Sequence, residues 1–233
     1  TPHVQAGVST LHLNTLIHKY VDSVGATSAT VGYKGYKHAS CISLNEVVCH
    51  GIPSDTIILK SGDILNIDVT VIVNGFHGDT SRMYTVGEVS PAAMALIRTT
   101  YEAMMAGIAT IHSGSYLYDI GTAIESVCKP HSYGIVRDYC GHGLGRAFHE
   151  DPMVLHYANR EFPHVRLRKG VTFTVEPMVN IGTHRTELQL DGWTVLTAAR
   201  SLSAQFEHPL AVTDSGADIF TLSPKGYTFP PYV

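Results

Sequence analysis

The sequence predicts an α+β domain, on three observations. Helix-like and strand-like runs are mixed along the chain without strict alternation. Asn74-Gly75 joins two strand-like arms, NIDVTVIV and FHGDTSRMY, as a hairpin turn would. The stretch LKSGDILNID (59–68) recurs in register as LRKGVTFTVE (167–176), so one domain, 1–233, reads as two related halves, about 1–112 and 113–233.

The elements follow in chain order. Leu13, Leu16, Ile17, Tyr20, Val21 and Val24 recur at helical spacing, which predicts a helix over 10–24 with Ser9 or Thr10 as cap and Gly25 as stop. Residues 40–49, 64–73 and 76–86 read as strands. Ser90-Pro91 opens a second helix, cap then N1 proline, running to about Ile111. A third spans roughly 116–128. Strand-like runs follow at 134–139, 171–181 and 206–213.

Composition narrows the function classes. The 233 residues are 44% hydrophobic, enough for a sizeable core. A net charge of −4 leaves no basic footprint for nucleic acid. No apolar run is long enough to span a membrane, and no signal peptide is visible. Four cysteines without CxxC spacing favour free thiols in a reducing, cytoplasmic setting over a disulfide frame or a zinc knuckle.

The hairpin carries an anomaly. A two-residue turn at Asn74-Gly75 sets Val73 opposite Phe76 and Thr70 opposite Asp79. Asp68 and Thr70 share a face, so Asp68 and Asp79 are diagonal neighbours, with Cβ atoms roughly 7 Å apart. Asp is disfavoured in strands, and two close carboxylates repel. Either they share a proton, they point into water, or a cation lies between them. The repeat adds to this. Asp68 corresponds to Glu176, and a further acid, Glu207, follows in SAQFEHPLAV. Two halves facing each other would gather Asp68, Asp79, Glu176 and Glu207 around a pseudo-two-fold axis.

Four gathered carboxylates need cations. In CGHGLGRAFHE (140–150), glycines would let the backbone pass close and aim His142 inward, while His149 follows in the same segment. Oxygen ligands with one imidazole suit Mn, Fe, Co or Zn. A pair of such ions is the usual arrangement for metal-assisted hydrolysis.

Beyond this point the residues carry a resemblance. YKGYKHASCISLNEVVCHGIP, GDILNIDVTVIVNGFHGDTSRM, GHGLGRAFHEDPMVLHY, GVTFTVEPMVNIG, DGWTV and RSLSAQFEH together resemble a type I methionine aminopeptidase. That family has the pita-bread fold of creatinase and prolidase: a curved antiparallel sheet with helices on its outer face. The resemblance implies removal of initiator methionine from nascent proteins with a small second residue, by a monomeric cytoplasmic enzyme meeting nascent N-termini at the ribosome. It implies Asp68 on a first metal, Asp79 and Glu207 bridging, and His142 and Glu176 on a second. By the same carry-over His50 contacts the scissile amide nitrogen and His149 steadies the carbonyl oxygen. For Glu176 the resemblance implies two competing assignments, metal ligand and general base towards the metal-bound water. Tyr33, Tyr36, Cys41, Phe148 and Trp193 would form the methionine pocket.

Two departures stand out. Bacterial-type members often carry a Cys where this chain has Thr30, three residues before the first pocket tyrosine. The family usually has an N-terminal segment, largely one helix, ahead of TPHVQAGVST; without it, apolar surface near 13–24 would be exposed. Two other classes compete. An Xaa-Pro peptidase shares the ligands but usually carries a separate N-terminal domain. A pita-bread binding module that has lost catalysis typically loses ligands, and all five are kept.

Overall fold

The computed structural model describes residues 1–159, 161 and 164–232. Its α-helices are α1 (Thr10–Ser23), α2 (Pro91–Ala109) and α3 (Leu117–Cys128). Each starts where a side chain can accept a free backbone N–H. Ser9 accepts from His12 and Ser90 from Ala93, at 3.1 and 3.2 Å, while Asp119 reaches back to the Tyr116 amide at 2.9 Å. Pro91 sits at the first position of α2, where its missing donor costs nothing.

The hairpin forms in the expected register. Strand Ile64–Val73 pairs with Phe76–Thr85, with Val73 facing Phe76 and Thr70 facing Asp79. Asn74 and Gly75 both take positive φ, 53° and 79°, as a turn matching the strand twist requires. On one side of this sheet Leu65 and Ile67 pack with Leu13 of α1, Ile42, Leu59 and Val86. Asn66, Asp68 and Thr70 point the other way, as the two-residue period dictates.

The strand Thr172–Val175 divides its faces in the same way. Phe173 and Val175 of strand Thr172–Val175 pack with Leu96, Ile97, Met104, Ile120 and Ile124 from α2 and α3. Thr174 and Glu176 lie on the opposite face. Gly107 lets the two helices approach, since a Cβ there would stand 2.9 Å from Ile124 Cγ1. The backbone repeats as well. The Gly7 amide donates to Leu59 and that of Gly62 to Val86; the Gly114 amide donates to Leu167 and that of Gly170 to Val212. Gly62 and Gly170 both take positive φ.

The hairpin edge is stitched to the segment around Glu207. Ser81 and Glu207 form an antiparallel bridge, with the Glu207 amide donating to the Ser81 carbonyl at 3.1 Å. Thr80 Oγ1 donates to the Glu207 carbonyl at 3.0 Å.

Several strands are shorter than the sequence predicts. The 40–49 run divides into Cys41–Leu44 and Val47–Cys49 around Asn45, which takes φ 51°. The 171–181 run divides at Glu176-Pro177, because Pro177 has no N–H to give a ladder. The 134–139 run is only Tyr133–Ile135, and 206–213 contracts to His208–Val212, preceded by Ser203–Gln205. In α1, Leu13 and Val21 are buried and Tyr20 is exposed, as is Val24 just beyond the helix. Among the described residues no helix is long and apolar enough to cross a membrane.

Phe173 is fully buried beneath both helices. Phe173→Ala should lower unfolding free energy by about 3–5 kcal/mol in chemical denaturation.

Candidate metal centre

The side chains that turn away from the helices line one cavity of about 610 Å³. Its walls include all twelve predicted site residues: His50, Asp68, Asp79, His142, His149, Glu176 and Glu207, with Tyr33, Tyr36, Cys41, Phe148 and Trp193. A larger cleft, around Arg166 and Arg168, holds none of them.

Ligand atoms of Asp79, His142 and Glu207 lie within 4.8 Å of one another. His142 Nε2 is 3.8 Å from Asp79 Oδ2 and 3.6 Å from Glu176 Oε1. Asp68 and Glu176 lie outside that closest trio but share its cavity. Asp68 Oδ1 is buried without a hydrogen-bond partner. A buried carboxyl oxygen facing other carboxyls is satisfied by a shared proton or a cation, and is costly otherwise. The donor set therefore fits divalent metal.

Hydroxyls and an amide hold these acids in place. Thr70 Oγ1 donates to Asp79 Oδ1 at 2.7 Å, and Thr174 Oγ1 to Glu176 Oε1 at 2.6 Å. Gln205 Nε2 donates to Glu176 Oε2 at 3.3 Å. The Glu176 amide donates to His156 Nε2 at 3.0 Å. Of these partners, only Thr70 was placed by sequence, opposite Asp79. Thr174 and Gln205 each stand two residues before an acid, and strand alternation alone would have put them on its face. His156 carried no signal.

The glycines beside His142 let neighbouring backbone pass close, as expected, and Gly141–Gly143 does so as a short strand. A side chain at Gly141 would strike the Thr174 carbonyl, and one at Gly143 the Asp151 carbonyl. Close strand packing thus aims His142, whose Nδ1 lies 3.0 Å from the Gly143 carbonyl. A carbonyl can only accept, so Nδ1 carries the hydrogen and Nε2 offers its lone pair to the acids.

Burial dominates the protonation of the cluster. It pushes Asp79 up to about 7 and Glu176 up to about 8. Asp68 and Glu207 are driven well above the carboxylate range, first by burial and then by the charge of Asp79. Burial lowers His50 and His142, and takes His149 down to about 4.

The remaining residues form an aromatic wall. Phe148 stacks on His149 at 4.4 Å between centroids, and Tyr33 approaches Phe148 at 4.9 Å. Trp193 approaches Tyr36 at 4.8 Å and His50 at 6.1 Å. Tyr33 OH lies 3.0 Å from His149 Nδ1. His50 takes φ 57°, unusual for a side chain of its size.

A model of metallopeptidase family M24 matches residues 1–214. The methionine aminopeptidase of Rickettsia prowazekii (strain Madrid E) is 53% identical over 233 residues, covering 100% of this chain and 89% of that protein. The chain belongs to metallopeptidase family M24, with the methionine aminopeptidases. That of Escherichia coli (strain K12) is 50% identical over 230 residues, 98% of this chain and 86% of that one. The crystal structure of the Rickettsia prowazekii methionine aminopeptidase superposes with TM-score 0.92 at 52% identity, covering 95% of this chain and 89% of that one. An X-Pro aminopeptidase from Thermotoga maritima MSB8, 18% identical over 98% of this chain and 56% of its own, superposes with TM-score 0.74 and shares the fold alone. Family M24 membership makes this chain a metal-dependent aminopeptidase of pita-bread fold.

Glu176 holds its proton more tightly folded than unfolded. Without metal, its contribution to stability is full below 4.5, its ordinary value, and is lost as pH rises through about 8. Buried histidines act in the opposite sense, and comparison with Glu176→Gln cancels them. In metal-free protein, calorimetry should show the melting temperature of the parent falling relative to Glu176→Gln as pH rises from 4.5 to 8.

Proposed function

We propose that this chain removes the initiator methionine from nascent polypeptides with a small second residue, using two divalent ions. The carrying observation is the convergence of Asp68, Asp79, His142, Glu176 and Glu207 on one cavity with an aromatic wall. Asp79 and Glu207 would be shared between the ions, with Asp68 holding one and His142 and Glu176 the other. Two ions make a longer site than one, so the five ligands need not meet at a point. Mn, Fe, Co and Zn all suit this donor set. When bound, such ions supply Lewis acidity towards the scissile carbonyl and the attacking water.

The chain's own groups do the rest. Tyr33 OH donates to His149 Nδ1, leaving the neutral ring's Nε2–H to steady the carbonyl oxygen. Glu176, held by Thr174 and Gln205, takes the proton of the attacking water. His50 contacts the scissile amide nitrogen. Tyr33, Tyr36, Cys41, Phe148 and Trp193 receive the methionine side chain, whose sulfur packs well against rings.

The repeated backbone hydrogen bonds support two related halves, about 1–112 and 113–233, with the ions where they meet. We place the protein in the cytoplasm, as a monomer meeting nascent chains at the ribosome; four free cysteines fit a reducing compartment.

A metal-reconstituted assay tests this on Met-Ala-Ser against Ala-Pro peptides. Turnover of Met-Ala-Ser alone is expected, abolished by a chelator and restored by metal; preference for Ala-Pro would point to an Xaa-Pro peptidase. Asp79→Ala should lose both bound metal, by elemental analysis, and turnover. His149→Ala should keep its metal and lose roughly 100- to 1000-fold in kcat.

A further inference from the structure

We propose that Ser81 is a positioning residue of the metal centre, its hydroxyl donating to the carboxylate of Asp68 when the ions are bound. This rests on the ligand assignment proposed above. Cys41 faces Asp68 across one strand pair, Asp68 faces Ser81 across the next, and Ser81 bridges to Glu207. Directly facing residues share a face of the sheet, with Cβ atoms about 4.5–5.5 Å apart. Ser81 therefore stands in a row between two ligating acids, and Asp79 lies two residues along on the same face.

Ser81 is 1% exposed, and its hydroxyl is buried without a hydrogen-bond partner. Among the described residues, two buried side-chain polar atoms lack a partner: Ser81 Oγ and Asp68 Oδ1. Ser81 Oγ can donate, a carboxylate oxygen of Asp68 ionised by a bound cation accepts, and the two belong to facing residues. Leaving both unmade is costly, so adjacency of this kind needs a reason.

The other acids show what the pattern would be. Asp79 has the hydroxyl of Thr70, and Glu176 that of Thr174. Asp68 has no such partner, and Ser81 is the uncommitted hydroxyl beside it. A donor on one oxygen fixes the carboxylate and leaves its other lone pairs to the ion. Losing an outer partner of this kind typically weakens metal binding by roughly 10- to 100-fold.

Calorimetric titration with Mn²⁺ tests this on the parent, Ser81→Ala, Asp68→Asn and the double variant. Ser81→Ala should bind Mn²⁺ roughly tenfold or more weakly. Its metal-free melting temperature should equal or exceed the parent's, because an unpaired buried hydroxyl is removed. In the Asp68→Asn background the same change should have no further effect. Parent-like affinity in Ser81→Ala would overturn the role, as would a full additional loss in the double variant. Weak binding accompanied by a lowered metal-free melting temperature would overturn it too, by assigning Ser81 to packing. A parent that takes up no Mn²⁺ would instead overturn the ligand assignment itself.

Discussion

Four carboxylates buried around one cavity form the constraint on which the rest of the structure depends. Asp79, Glu176 and Glu207 are nearly inaccessible to solvent, and Asp68 keeps a buried oxygen without a partner. Burial alone raises every one of them. Such a cluster is tolerable in two ways: as protonated acids, or as ligands of cations. Apolar packing elsewhere has to outweigh it when the ions are absent. The fully buried layer of Phe173, Leu96, Ile97, Met104, Ile120 and Ile124 beneath the second half does that work.

The sheet provides the separation. In Ile64–Val73, Leu65 and Ile67 turn to α1 while Asp68 and Thr70 turn to the cavity. In Thr172–Val175, Phe173 and Val175 turn to α2 and α3 while Thr174 and then Glu176 turn to the cavity. The apolar face and the acidic face are thus two sides of the same few residues. A one-residue slip in register would bury the acids against the helices. The long hairpin, fixed by positive φ at both turn residues, makes such a slip costly.

Much of this was legible beforehand, for local reasons. The turn at Asn74-Gly75 determined the pairing of Thr70 with Asp79, and pairing determined the face. The α+β class and the helix starts at Ser9 and Ser90 follow from caps and periodicity. What escaped prediction depends on contacts distant in sequence. The short strands Gly141–Gly143 and Glu150–Val154 have little β-propensity of their own. They exist because Gly141 and Gly143 permit close approach to neighbouring strands. His156 holds Glu176 from 20 residues away, which no local pattern reveals, and alternation puts Gln205 on the face of Glu207 without showing that it reaches Glu176, 29 residues away. The aromatic wall was assigned through family resemblance alone, since scattered aromatics otherwise read as core.

That wall is built on a different part of the chain from the acids. Tyr33 and Tyr36 come from the loop after α1, Phe148 and His149 from the segment beyond the Gly141–Gly143 strand, and Trp193 from a turn near the Val195–Thr197 strand. None lies on a strand bearing a carboxylate. The loop carrying both tyrosines is closed by Thr30, whose hydroxyl donates to the His38 carbonyl at 2.7 Å and lies 3.1 Å from Ser28 Oγ. Thr30 also lines the cavity. The Thr30 hydroxyl is therefore tied back into the loop, which leaves this edge of the cavity shaped by how that loop is closed. The shape of the aromatic wall can change at such a position while the strands holding the acids keep their register.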